Sequence, residues 1–195
     1  GELGGLSFPV IGQMTEDDRH NLWICTEGGG LNQLDRTTGK FTWYRHSSDP
    51  HSISHDNVKS LYYDREREVL WVGTHLGGLN KLDLRTRRFT RYSYKKEGRA
   101  VDKANIICAI QPYRNTLLLA THDGVLQFDI DSGTFTPLFK SGQEGAIISL
   151  ALDLKIDRNG LLWISGVEKG AYSYDFATRR LRLYTHHPSK PSSLS

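Results

Sequence analysis

Histidine is the first residue type to ask about. The chain has 8, and all but His20 (His46, His51, His55, His75, His122, His186 and His187) fall in segments rich in Gly, Ser, Asp or Pro. Four short segments carry other polar groups beside glycine: Glu27-Gly-Gly-Gly30, His75-Leu-Gly-Gly78, His122-Asp-Gly124 and Val167-Glu-Lys-Gly170. Longer ones add His55 and Tyr94. Glu27, His55, His75, Tyr94, His122, Asp123, Glu168 and Lys169 are therefore the candidate ligand-binding residues. Their planar hydrogen-bonding groups and aromatic ring suit recognition of a hydroxyl-rich molecule. Catalysis has less support, because no G-x-S-x-G, H-E-x-x-H or zinc-ligand spacing is present. A glycosidase pair of carboxylates meets only in space, and no pattern marks one. Asp157-Arg-Asn-Gly160 opens like a calcium loop but lacks the later oxygen ligands and closing glutamate. It reads as a hairpin turn. The expectation is no enzyme activity, no metal and no cofactor.

The elements that must position these residues come from a repeat. Asn21–Tyr44 reads NLWICTEGGGLNQLDRTTGKFTWY, and Leu70–Tyr92 reads LWVGTHLGGLNKLDLRTRRFTRY. Leu117–Leu138 and Leu162–Tyr184 repeat the pattern more loosely. The anchors Asp35, Asp83, Asp129 and Asp175 are spaced 48, 46 and 46. Each unit holds four short apolar runs, in the first Val10–Met14, Leu22–Thr26, Leu31–Asp35 and Phe41–Arg45. Such runs are too short for ordinary helices and rich in β-branched and aromatic residues. Four strands in about 40–50 residues match a propeller blade. The fold class is therefore all-β, with four four-stranded antiparallel β-propeller blades. We read one domain over 1–195, with blades at about 10–57, 58–105, 106–146 and 147–195.

A propeller gathers the second-to-third strand loops and the blade-to-blade connections (His46–Asn57, Ser93–Asn105, Phe139–Ala146, Thr185–Ser195) on one face. That brings the candidate residues to one face. Trp23, Trp71 and Trp163 recur in register and read as inter-blade packing. The third position of each first strand (Gly12, Ser60, Cys108, Ser149) reads as a small-residue site, with Cys108 buried. Cys25 and Cys108 lie in different blades, so no disulfide is expected. The arginines and lysines at 85, 87, 88, 91, 95, 96, 99, 179, 180 and 182 read as a solvated edge that blocks strand pairing. A net charge of +3 and a pI near 8.8 are too mild for a dedicated nucleic-acid binder. No run of about 18–20 apolar residues is present for a membrane helix. Pro191-Ser-Ser-Leu-Ser195 repeats Pro50-His-Ser-Ile-Ser54, which leads into the second repeat. The chain therefore reads as a part of a longer array, whose end blades expose apolar faces and self-associate.

The pattern L-W-I/V-G-T-x-x-G-G-L-N-x-L-D-x-x-T-x-x-F-x-x-Y, followed by S-x-S-x-x-x-V, resembles the two-component regulator propeller repeat. Leu70–Tyr92 matches almost throughout. Asn21–Tyr44 departs at Cys25, the third repeat has lost its tryptophan, and the fourth has Ser165-Gly166 and Ala171-Tyr172-Ser173. The resemblance implies the periplasmic sensor region of a hybrid two-component histidine kinase, anchored in the inner membrane, with an oligosaccharide ligand. The kinase would lie outside this chain. The alternative is that these blades are scaffold, carrying dimer contacts or a protein partner and no ligand of their own.

Overall fold

The computed structural model describes residues 4–96, 98–100, 102–139, 148–167 and 170–186. Each repeat is one meandering antiparallel sheet. Blade 1 comprises β1 (Ile11–Glu16), β2 (Asn21–Thr26), β3 (Leu31–Asp35) and β4 (Phe41–Tyr44). Blade 2 comprises β5 (Val58–Asp64), β6 (Val69–Thr74), β7 (Leu79–Asp83) and β8 (Phe89–Tyr92). A small hairpin, β9 (Lys95–Lys96) and β10 (Arg99–Ala100), and a 3-10 turn at Lys103–Asn105 follow. Sequence alone reads that stretch as loop. Blade 3 is β11 (Ile107–Tyr113), β12 (Thr116–Thr121), β13 (Gly124–Asp129) and β14 (Thr134–Pro137). Blade 4 is β15 (Ala151–Ile156), β16 (Leu161–Gly166), β17 (Ala171–Asp175) and β18 (Arg180–Tyr184). No helix among the described residues is long and apolar enough to cross a membrane.

The chain falls into two compact units, Gly1–Ile107 and Cys108–Ser195. In the first, Trp23, Cys25 and Leu31 of blade 1 pack against Val58, Leu61, Val72, Leu82 and Phe89 of blade 2. Trp23 and Trp71 are fully buried, and truncating such a ring costs about 3–5 kcal/mol. In the second unit, Leu118, Ala120 and Val125 of blade 3 meet Ala151, Leu154, Leu162 and Ile164 of blade 4. A four-stranded sheet cannot bury both faces alone, so each blade relies on its neighbour.

The signature residues have visible causes. The β3–β4 turn aspartate accepts backbone N–H bonds two and three residues on, as Asp35 does from Thr37 and Thr38. Asp83 accepts from Arg85 and Thr86, and Asp175 from Ala177 and Thr178. Asp157 accepts from the N–H groups of Asn159 and Leu161 and the indole N–H of Trp163, the last at 2.8 Å. The hairpin reading of that turn stands. Asp17 does the same for Trp23, at 2.9 Å.

Four readings need correction. The first strands are offset: β1 begins at Ile11, not Val10, and β15 at Ala151, with position 147 outside the described residues. Irregular registers between Ile11 and Met14, Val58 and Ser60, and Ala151 and Asp153 add a residue to these strands, which shifts the alignment. The position of Ser60, which pairs with Gly73, is held by Asp153 opposite Ser165 in blade 4. It is not a small-residue site throughout. Cys108 is half-buried, whereas Cys25 is buried, and the two form no disulfide. Burial raises the Cys25 pKa strongly, so it stays protonated and inert. The basic edge is also not uniformly solvated. Arg91 donates to the Ser52 and Asp49 carbonyls and to Ser52 Oγ, tying down the 46–57 connection.

Candidate functional site

The loop side of unit 1 is built around Asp56 and Asn57, just before β5. The Asp56 carbonyl accepts the N–H groups of Gly28 (3.2 Å) and Gly30 (2.8 Å), and its carboxylate accepts the His46 N–H at 2.7 Å. Glu27 and Asn57 form an isolated antiparallel bridge. These bonds set the β2–β3 loop of blade 1 against the connection to blade 2. The second loop glycine is required there: Gly30 and Gly78 have φ of 82° and 74°, and a Cβ would strike the Tyr44 or Tyr92 carbonyl.

Four candidate groups converge on this frame. Glu27 is exposed and pairs with Lys59 Nζ at 2.8 Å. The Lys59 hydrogen bond and charge, with a smaller contribution from His75, hold its carboxyl below the usual range. The His55 and His75 rings lie 6.0 Å apart, edge to face. Asn57 links them, donating its N–H to His55 Nδ1 at 2.9 Å and accepting the His75 N–H on its carbonyl at 2.9 Å. His55 Nδ1 is thus an acceptor, which puts the proton of the neutral ring on Nε2. Burial, then the charges of His75 and His46, lower the His55 pKa against the opposing pull of Asp56. The ring is a neutral donor at neutral pH. Asn57 Oδ1 is shielded from solvent and accepts no hydrogen bond among the described residues. A buried acceptor without a donor calls for an explanation.

Sequence reasoning reaches Glu27, His55 and His75 but misses Lys59 and Asn57. Both lie at the bulged start of a first strand, where register is hardest to read. Tyr94 stands on the next connection, where Asn105 accepts its N–H at 2.8 Å and donates to its carbonyl at 3.1 Å. His122 and Asp123 belong to the second unit, on the tight β12–β13 turn, where the Asp123 N–H reaches Thr121 Oγ1 at 3.0 Å. Glu168 and Lys169 lie outside the described residues. No group of three His, Cys, Asp or Glu side chains able to hold a metal occurs among the described residues. Two concavities lie elsewhere: one of about 280 Å³ on the blade 4 sheet and one of about 90 Å³ near Asp18, Tyr63 and Arg85.

Tandem four-stranded meanders that bury one blade's tryptophan against the next define propeller blades. The comparisons with known proteins agree. The extracellular domain of the hybrid two-component system BT3049 from B. thetaiotaomicron superposes with a TM-score of 0.81 at 27% identity, over 93% of this chain and 25% of that one. The extracellular domain of BT4673 from the same organism gives 0.75 at 21% identity, over 96% and 26%. A catalytically inactive virginiamycin B lyase from Staphylococcus aureus gives 0.67 at 13%, over 94% and 57%, a likeness of fold alone. The chain is a run of blades similar to those of the BT3049 and BT4673 extracellular domains and spans about a quarter of their length. No family model and no curated protein matches it.

Proposed function

We propose that the chain is part of the extracytoplasmic sensor domain of a two-component signalling protein and is not itself an enzyme. Similarity to the BT3049 extracellular domain over 93% of the chain carries this reading. The parent protein would sit in the inner membrane, with these blades in the periplasm and a histidine kinase elsewhere in the sequence. We further propose that the Glu27–Lys59–His55–His75 cluster binds an oligosaccharide. Neutral imidazole and amide groups beside one ion pair suit an uncharged hydroxylated ligand.

The test is a thermal-shift screen of the chain against plant and host oligosaccharides. His75→Ala and His122→Ala are run alongside. A shift lost in His75→Ala and kept in His122→Ala assigns the ligand to unit 1. The second reading, blades as scaffold, is favoured by the position of two concavities, which lie on or near packing surfaces. It predicts no shift here and a shift in the complete extracellular domain.

A further inference from the structure

Two histidines on the 46–57 connection bond through the same ring nitrogen in opposite senses. His46 Nδ1 lies 2.9 Å from the Ile53 carbonyl, so it donates. His55 Nδ1 lies 2.9 Å from the Asn57 backbone nitrogen, so it accepts. The difference decides what a second proton does to each ring. On His46 it enters at Nε2 and leaves the bond to Ile53 in place. On His55 it must enter at Nδ1, where the Asn57 N–H already points. Two donors then face each other, and the Asn57 N–H loses its acceptor.

That loss falls on the backbone that joins two blades. The Asn57 carbonyl accepts the His75 N–H at 2.9 Å, and Asn57 bridges to Glu27 of blade 1. The Asp56 carbonyl, one residue before, accepts the N–H groups of Gly28 and Gly30. Every element packed against His55 bears on its charge. Asp56 favours a charged ring, whereas His46 on the same connection and His75, 6.0 Å away edge to face, oppose it. Across the joint, Glu27 is paired with Lys59 at 2.8 Å. The β6–β7 loop packs directly on the residue, since a Cβ on Gly77 would lie 3.0 Å from the His55 Cβ. The next joint lacks the device. There the Asn105 carbonyl accepts the Gly78 N–H at 3.0 Å, as the Asp56 carbonyl accepts that of Gly30. The residue before Asn105 is Ala104, however, and the Ile106 N–H goes to the Lys103 carbonyl at 3.3 Å.

We propose that His55 is an acid-sensitive latch: a proton on Nδ1 breaks its bond with the Asn57 N–H and opens the joint between blades 1 and 2, while the joint after blade 2 stays closed. The direction follows from linkage. Burial, first of all, holds the His55 pKa below the ordinary 6.5 in the closed joint. In the open joint the ring regains its ordinary proton affinity. A group depressed in this way contributes stability in full above about 6.5. That contribution is lost as pH falls from there through the closed-state value. The same bonds hold the Glu27 and His75 backbone, so acid also disperses the candidate site. The latch needs no ligand, and the inference is independent of the oligosaccharide reading.

The test is amide hydrogen exchange of the full chain without ligand, between about pH 8 and about pH 5, the range in which histidine titrates. Rates are corrected for the intrinsic pH dependence of exchange. Protection of the Asn57, Gly28 and Gly30 amides should fall with pH, by about tenfold for each unit that the closed-state pKa lies below 6.5. Protection of the Gly78 amide should not. Ring nitrogen shifts should show neutral His55 protonated on Nε2. His55→Asn supplies an acceptor two residues before the same N–H that does not titrate, so protection there should stay flat. The proposal falls if Asn57 protection is unchanged across the range, or if it falls equally at Gly78 or in His55→Asn. It also falls if the neutral ring carries its proton on Nδ1. Should His55→Asn not fold, the Gly78 amide and the ring tautomer decide.

Discussion

Asp17→Ala gives the sharpest check on how the repeat is held together. The Asp17 carboxylate accepts the Arg19 N–H (2.9 Å), the Asn21 N–H (3.0 Å), the Asn21 amide and the Trp23 indole N–H (2.9 Å). Trp23 is 0% and Asn21 7% exposed, so their donors have no water to turn to. Arg19 is exposed and rehydrates. Leaving a buried donor unpaired costs about 1–3 kcal/mol, so the three on Asn21 and Trp23 cost about 3–9. That is a large share of the 5–15 kcal/mol typical of a domain. Asp17→Asn keeps one acceptor oxygen and should lose about half as much. Urea unfolding followed by tryptophan fluorescence reads unit 1, which holds Trp23, Trp43 and Trp71 of the 4 tryptophans. With a slope of about 1–3 kcal/mol per molar, the Asp17→Ala midpoint should fall by about 3 M. Asp157→Ala removes the same kind of indole bond from the half-buried Trp163 and should cost its unit less. Equal losses, or an unchanged Asp17→Ala midpoint, would refute the reasoning.

The same carboxylate fixes a pH dependence. Burial alone would raise the Asp17 pKa, but hydrogen bonds from the Asn21 and Trp23 side chains and the Asn21 and Arg19 backbone outweigh it and hold the pKa below the ordinary value. A group depressed in the folded state contributes stability above its unfolded pKa, about 3.9 for Asp. That contribution is lost as pH falls through the folded value. Wild-type stability from this source should be flat from neutral pH to about 4 and decline below. Asp17→Asn should remove this part of the acid sensitivity.

Gly30→Ala should destabilise unit 1 far more than Gly39→Ala, although both have positive φ. A Cβ at Gly39 meets nothing within 4 Å, leaving only strain of about 1–2 kcal/mol, whereas at Gly30 it strikes the Tyr44 carbonyl; thermal melts decide. Asn80→Ala removes the acceptor for the Ser54 N–H (2.9 Å) and the donor to Ser54 Oγ (2.8 Å), and should cost about 1–3 kcal/mol. Hydrogen exchange should show the 46–57 connection opening first. The chain should self-associate, because Ile11 and Met14 are 46% and 50% exposed while their blade 2 counterparts Val58 and Leu61 are 1% and 3% exposed. Light scattering should show mass rising with concentration and falling in Met14→Lys.

Most of the fold is legible in the sequence because the signature residues serve backbone geometry. The aspartate turns, glycine positions and core tryptophans each follow from local chemistry that a repeat displays four times over. The first strand of blade 1 is read one residue early, at Val10 rather than Ile11, because its apolar run begins before the pairing does. The role of Arg87 was hidden for another reason. At an exposed hairpin an arginine reads as solvated, and only the neighbouring blade shows that its guanidinium meets Gln33 and Tyr44.

The candidate site is less legible because the signature is silent there. Thr26 and Thr74 turn their hydroxyls onto the carbonyls of Gly30 and Gly78, and Asn32 and Asn80 clasp Ser7 and Ser54. Those side chains are committed to structure and have little left for a ligand. What remains is where the blades differ: Glu27 in blade 1, His75 in blade 2, and Lys59 and Asn57 at the joint between them. The joint between blades 1 and 2 therefore presents its own polar set on a frame built from the repeat signature. Ligand specificity in such an array would change by substitution at the joints without loss of stability. Grafting Lys59 or His75 elsewhere should leave melting temperatures nearly unchanged, whereas moving Asn80 or Gly78 should not.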